Sequence, residues 1–503
     1  MGDLWSHLSL GLASALAPGN LLYCAIGVSL GTLIGVLPGL GPVVTIAMLL
    51  PATFTLPPAS ALIMLAGIYY GAQYGGSTTA ILVNLPGETS SVVTALEGHL
   101  MARQGRGGVA LATAAIGSFF AGTVATLVLA VAAPPLGSLA LGFGPVEYFS
   151  LMVLGLIAAV VLAHGSPLKA IAMTVTGLLF GLVGTDVNSG VQRYTLGVAE
   201  LSDGIGFVVI AMGMFGLAEV VRNVERETTA AAVPVRITSL MPKREDWKRM
   251  VAPILRGTAL GSVLGVLPGG GATLASFASY SLEKKASRFR QEFGKGAIEG
   301  VAGPEAANNA GAQTSFIPML TLGIPSNPVM ALMVGAMVIH GIQPGPAVMK
   351  EQPDLFWGVV ASMWIGNMFL LVLNLPLIGV WVRLVRVPYH VLYPTILAFC
   401  AVGVFTLNNS VIDVHLMALF GVFGYVCARL DCEPAPMLLG FILGPMMEEY
   451  LRRALLLSRG DPTVFLRRPL SAAMLLLALA ALVAVTLPAV RARREEAFAE
   501  DAA

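Results

Sequence analysis

A chain of 503 residues that is 56% hydrophobic, 11% charged and of mean hydropathy +0.81 is not a water-soluble globule, in which about a quarter of residues carry charge. A net charge of +1 and the lack of any basic domain exclude a polyanionic partner such as nucleic acid. Cys24, Cys400, Cys427 and Cys432 show no CxxC or metal spacing and read as small apolar fillers, and no basic stretch opens the chain as a signal peptide would.

Apolar runs of roughly 20 residues, the length that spans a bilayer, recur along the whole chain and predict about 10–12 spanning or half-spanning segments. Residues 1–102 contain no Lys or Arg. Asp3 to Pro18 is too short to span and reads as an interfacial helix. GVSLGTLIGVLPGLGP follows at 27–42. Its glycines at spacings of four put a groove on one helix face, so that a second backbone can come close. The Pro38-Gly39-Leu40-Gly41 run then stops the helix, because proline lacks a donor and glycine permits conformations other residues resist. A break at membrane depth leaves amides and carbonyls that only protein or a water-filled cavity can satisfy.

The next segment ends in YYGAQYGGSTTAILVNLPGE at 69–88, hydroxyl-rich where a lipid-facing helix would carry Leu and Val. Conventional spans are expected at 109–133, 147–163, 168–185 and 205–221. Lys and Arg concentrate in cytoplasmic loops. On that rule 103–106 and Lys169 lie inside, while 134–146 and 186–204 lie outside, the latter despite Arg193. Arg222, Arg226, Arg236, Lys243, Arg244, Lys248, Arg249 and Arg256 make 222–256 a cytoplasmic linker.

At 257–272 the opening motif returns as GTALGSVLGVLPGGGA, 230 residues on (27 to 257), breaking at Pro268-Gly269-Gly270-Gly271. EKKASRFRQEFGK at 283–295 follows at once, so this copy has basic residues on both flanks. It reads as a re-entrant hairpin entered from the cytoplasm, and the charge-free first copy as one entered from outside. That pattern is an inverted repeat, whose paired broken segments mark a transporter's binding site.

A second polar broken segment, GVAGPEAANNAGAQTSFIPMLTLGIPSNP, spans 300–328, its GIPS paralleling NLPG around Pro86. Spans at 329–341, 355–382, 391–407 and 412–428 come next, then an amphipathic stretch at 435–459. The last span, 470–488, is basic at both ends and the charge rule cannot orient it. The predicted fold is therefore an all-α polytopic membrane protein of two inverted repeats, each with a broken helical hairpin. The first repeat covers 1–221, the linker 222–256 and the second repeat 257–451; an amphipathic segment, the last span and a tail fill 452–503.

Polar side chains at membrane depth usually face a bundle interior or a cavity. They gather beside the breaks, and the candidate substrate contacts are Gly39, Gly41, Ser77, Thr78, Thr79 and Asn84 from the first half. Gly269, Gly270, Gly271, Asn308, Asn309, Thr314, Ser326 and Asn327 come from the second. Single hydroxyls and amides often only tie helix to helix; clusters beside breaks in both halves favour a site. No Lys or Arg lies in either cluster, so helix N-termini with their free amides would hold an anionic substrate. Glu305 is the one acid within 300–328 and, with Thr321 and Gly323, is the candidate Na⁺ or proton coupling site. No other cofactor is expected.

GVLPGLGP (35–42), YGGSTTAILVNLPGE (74–88), GVLPGGGATLASFASY (265–280), GPEAANNA (303–310) and PMLTLGIPSNP (318–328) resemble the large membrane subunit of the tripartite tricarboxylate transporters. The similarity extends through GFILGPMMEEYLRRALLLSRGD at 440–461; Gln313, Thr314 and Ser315 are bulkier than is usual there. The resemblance implies an ion-driven secondary transporter of the bacterial inner membrane that imports tricarboxylates or dicarboxylates. It also implies two partners, a small four-span membrane subunit and a periplasmic substrate-binding protein. No GxxxxGK[ST] phosphate loop occurs, and neither HExxH nor a Ser–His arrangement supports an intramembrane enzyme. A passive anion channel would use the same broken helices and stays open as the alternative.

Overall fold

The computed structural model describes the chain apart from residues 1, 38–40, 85–86, 141, 164–165, 187–188, 226–239, 268–270, 378, 381–388 and 487–503. It is helical nearly throughout; among the described residues the one strand pairing joins β1 (Gly184–Thr185) to β2 (Gln192–Arg193). Among the described residues four helical stretches are long and apolar enough to cross a membrane: Pro18–Val36, Thr89–Ala140, Pro353–Asn374 and Val411–Arg429. Shorter apolar helices accompany them. This is an all-α polytopic membrane protein.

The chain forms two compact units. The first takes residues 1–137 and 219–403, and the second 138–218 and 404–503, so each half of the sequence contributes to both.

In the first unit, α1 (Gly2–Ala15) leads to α2 (Pro18–Val36), α3 (Pro42–Thr53), α4 (Pro58–Val83), α5 (Val92–Met101) and α6 (Gly107–Ala140). The helix α1 is not simply interfacial: its Gly11 lies against the Trp357 carbonyl, and His7 stacks on the Trp357 ring at 5.1 Å. Pro134 and Pro135 do not end α6, which runs past the expected loop start at 134.

The glycine groove works as read. A Cβ on Gly27, Gly31 or Gly35 of α2 would lie 2.3–2.4 Å from the carbonyls of Met64, Ile68 and Ala72 on α4. These pairs ascend together, so α2 and α4 run parallel in backbone contact. Dispersion and close packing hold such a pair where lipid offers no hydrophobic drive.

In the second unit α7 (Pro145–Leu162), α8 (Pro167–Gly181), α9 (Phe207–Ala211) and α10 (Ala218–Glu225, whose first residue alone belongs there) come first. The first unit resumes with α11 (Arg244–Leu264), α12 (Gly271–Ala286), α13 (Glu299–Thr314), α14 (Phe316–Leu322), α15 (Pro328–Ile339), α16 (Ala347–Glu351) and α17 (Pro353–Asn374). There α11 repeats the groove: a Cβ on Gly257, Gly261 or Gly265 would meet the carbonyls of Gly303, Ala307 and Gly311 on α13 at 2.2–2.4 Å. This helix begins at Arg244, inside the stretch read as linker; Lys243 precedes it, and the Asp246 carboxylate accepts from the Lys243 amide at 2.9 Å.

The contact partners on α4 and α13 differ by a constant 239 residues (64 to 303, 68 to 307, 72 to 311). Carried along the chain, that offset aligns α4 with α13 and α14, and α5 with α15. Across the two copies the order reverses: Ser77 meets Glu305, while Tyr69, earlier on α4, meets Asn327. The equivalent helices therefore run antiparallel.

The second unit closes with the end of α18 (Tyr389–Asn408), then α19 (Val411–Arg429), α20 (Ala435–Leu457), α21 (Val464–Arg467) and α22 (Pro469–Thr486). Gly177 of α8 faces the Met437 carbonyl and Gly440 of α20 faces that of Thr174, a reciprocal small-residue crossing. The N-terminal parts of α7 and α22 lie side by side, Ser150 Oγ 2.7 Å from Ser471 Oγ.

Candidate functional site

Both halves break their helices in the same way. The chain leaves α4 at Asn84 (φ 57°) and α14 at Gly323 (φ 74°), left-handed positions 239 residues apart (84 to 323). Asparagine and glycine are the residues that tolerate this conformation best. Four residues beyond each stand Glu88 and Asn327 (again 239 apart), each at the start of a new helical turn. The Asn327 side chain caps α15, accepting from the Met330 amide at 2.9 Å. Gly41 precedes α3 and Gly271 opens α12 at φ 48°. Gly39, Gly269 and Gly270 lie outside the described residues.

The centre of the constellation is Glu305, fully buried on α13. Ser77 on α4 donates to its Oε1 at 2.7 Å, Thr94 on α5 donates to the same oxygen, and Ser118 on α6 donates to Oε2 at 3.3 Å. Asn309 sits one step away, its Nδ2 donating to Ser118 Oγ at 2.7 Å. Beside them lies a void of about 10 Å³ lined by Tyr74, Ser77, Thr78, Ser118, Glu305 and Asn374. That is the least space a single water needs.

Glu88 forms the second pole. Ser90 Oγ donates to its carboxylate and stands 2.9 Å from Gln73 Oε1. Asn308 is fully buried, and among the described residues neither of its amide atoms has a hydrogen-bond partner. Among the described residues no ion pair reaches Glu88 or Glu305; the basic partners go to Asp246, Glu283, Glu292 and Glu299. A buried carboxylate without a cation is costly unless hydrogen bonds, a proton or a bound cation compensate it. Hydroxyls supply part of that.

The remaining candidates divide. Ser326 and Asn327 gather about Ser315: Ser326 Oγ donates to the Ser315 carbonyl at 3.3 Å, and Asn327 Nδ2 lies 3.0 Å from Ser315 Oγ and 3.3 Å from Tyr69 Oη. Thr78, Thr314 and Thr321 turn their hydroxyls onto carbonyls of their own helices, and Thr79 onto the Gly35 carbonyl. No hydrogen bond ties Thr321 or Gly323 to Glu305; Gly323 is packed against the Pro344 carbonyl instead. Thr94, Ser118 and Asn374 are the residues the sequence did not single out. Each is one of several scattered polar residues in a mostly apolar helix, and only the fold shows that Thr94 and Ser118 point at the same carboxylate.

A polytopic helical protein with paired broken segments around buried polar side chains has the arrangement expected of a membrane transport protein. The comparisons agree. The model of the Tripartite tricarboxylate transporter TctA family matches residues 21–439, and the chain belongs to that family. The chain is 59% identical over 501 residues, the full length of both, to an "Uncharacterized 52.8 kDa protein in TAR-I ttuC' 3'region" of Agrobacterium vitis. A second protein of that organism, "Uncharacterized protein in TAR-II ttuC' 3'region", is 58% identical over 241 residues, all of its length and 48% of this chain. No solved structure matches.

Proposed function

We propose that this chain is the carrier subunit of an ion-driven importer of di- or tricarboxylates in the bacterial inner membrane. Membership of a tricarboxylate transporter family supports the substrate class. The observation that carries the mechanism is Glu305, buried between two antiparallel copies of one helical unit and bonded to hydroxyls of the first copy. Antiparallel equivalents in a membrane amount to an inverted repeat, and sites of such carriers lie at the repeat interface. The substrate's carboxylates would meet the N-termini of α3, α12 and α15, where free amides and the helix dipole favour negative charge. Glu305, with Ser77, Ser118 and Asn309, would take Na⁺ or a proton, and the oxygen-only ligand set suits a hard cation. In this reading the substrate arrives from a periplasmic binding protein, and a small four-span subunit completes the assembly.

The test is reconstitution of this chain with the products of its genomic neighbours, followed by counterflow of labelled citrate or a C4 dicarboxylate. A carrier accumulates label transiently against a gradient. Simple dissipation would make the protein a channel.

A further inference from the structure

One buried carboxylate belongs to neither pole. Glu97 on α5 is fully buried, and among the described residues no basic side chain pairs with it. Its oxygens are instead filled by α12 and the segment joining it to α13. Gly294 N donates to Oε1 at 2.5 Å and Tyr280 Oη to the same oxygen at 2.9 Å; Gly296 N and Ala297 N donate to Oε2 at 2.8 and 2.9 Å. Gly294 and Gly296 have φ of 80° and 95°, and Gly300 leaves room for the Glu97 stem, whose Cγ would lie 2.6 Å from a Cβ there. Gln104 adds a hold from beyond α5, its Nε2 donating to the Lys295 carbonyl at 2.7 Å.

One turn earlier on the same helix, Thr94 donates to Glu305. Thus α5, from the first half, grips the second half at two levels, at the buried acid and at the basic loop. The 239-residue offset finds no such grip at the other end. Glu97 corresponds to Ala336 (97 + 239), while Pro57 and Pro58 stand where Gly296 and Ala297 do (296 and 297 less 239). Proline has no amide hydrogen to give. A charge-assisted hydrogen bond is about twice as strong as a neutral one, so the asymmetry is mechanical as well as chemical.

We propose that Glu97 is the latch that shuts the basic-loop end of this carrier, and that inward release requires the carboxylate to let go of residues 294–297. The latch rests on the carrier reading above. Glu97 touches no substrate; it is a positioning residue that links the state of the coupling site, through α5, to access from one face.

The experiment uses the full-length chain with its four cysteines replaced by serine and Ala115→Cys beside the Glu305 void as reporter. Inside-out vesicles are treated with a small charged methanethiosulfonate. With Glu97 intact, labelling should be slow. Glu97→Gln puts an NH₂ group against amide donors, and Gly296→Ala disturbs the φ 95° position; each should speed labelling at least tenfold. Tyr280→Phe, which removes one donor and keeps the carboxylate, should speed it about threefold and decides the matter if the other two fail to fold. Unchanged labelling in the variants that purify as a single species overturns the latch and leaves Glu97 an anchor for a static loop. Faster labelling in a protein that shows no counterflow upholds the latch while removing the carrier reading.

Discussion

The two hairpins share a backbone plan and differ in what closes their open ends. At the end of α2 and α3, Asn20 takes a hydrogen bond from Ser60 at 2.5 Å and gives one to the Ser14 carbonyl at 2.8 Å. At the end of α11 and α12, ions take over. Arg256 pairs with the fully buried Glu283 at 2.6 Å, and Arg249 with Glu292 and Glu299 at 2.7 and 2.8 Å while its guanidinium lies 4.0 Å over the Phe289 ring. The hydrogen bond to Glu299 drives the Arg249 pKa further up, so that charge never titrates. Arg106 adds a bond to Asp246 at 2.6 Å. The lesson is that the two copies share close packing at their glycines and differ in the chemistry at their rims.

The largest expected effect treats both copies alike. Gly31→Val and Gly261→Val each drive a branched side chain into a carbonyl that a lone Cβ would already approach to 2.4 and 2.2 Å. Both should abolish folded protein in a detergent size-exclusion assay; survival of either would break the equivalence of the grooves. Glu305→Gln comes next and acts on one copy only, since Ala66 stands at the corresponding place (305 less 239). Expression should persist while uptake falls at least tenfold and loses its dependence on the driving ion. Ion-dependent uptake at the normal rate would move coupling elsewhere, with Glu88 the next acid to change.

Arg256→Ala should destabilise by about 2–4 kcal/mol, because Glu283 is left buried without its cation. Thermal unfolding of the purified chain measures it, and Glu283→Gln in the same background should restore part of the loss. The corresponding polar contact of the first copy is smaller: Asn20→Ala should cost about 0.5–1.5 kcal/mol by the same assay. The comparison sharpens if the two costs differ as stated, and fails if the charge-free end proves the more fragile. Finally, cysteines in 284–295 should label only from the cytoplasm, and those at 57–60 only from the periplasm. Labelling of both from one face would end the inverted reading.

By itself the sequence determined the class, the two copies and the breaks, because each rests on local chemistry. Apolar length, glycine spacing and proline each act within a few residues of themselves, and a duplicated motif shows the duplication directly. The polar clusters were legible for the same reason. Ser77, Asn309 and Glu305 stood out against apolar surroundings, and the fold joins them. What only the tertiary structure decided were the partnerships between distant segments. Thr94 and Ser118 are unremarked hydroxyls until α5 and α6 bring them to Glu305, and the Thr321 hydroxyl returns to the Ile317 carbonyl of its own helix. Arg193, an exception to the charge rule, is bonded to Glu448 at 2.9 Å and lies near Asp186, so its charge is already matched. The last span, basic at both ends, could not be oriented from composition. Ser471 beside Ser150, and Arg468 3.8 Å from Glu147, start α22 at the end where α7 starts. Charge near a span biases its direction only while unpaired; once side chains from residues hundreds of positions apart neutralise one another, the packing decides.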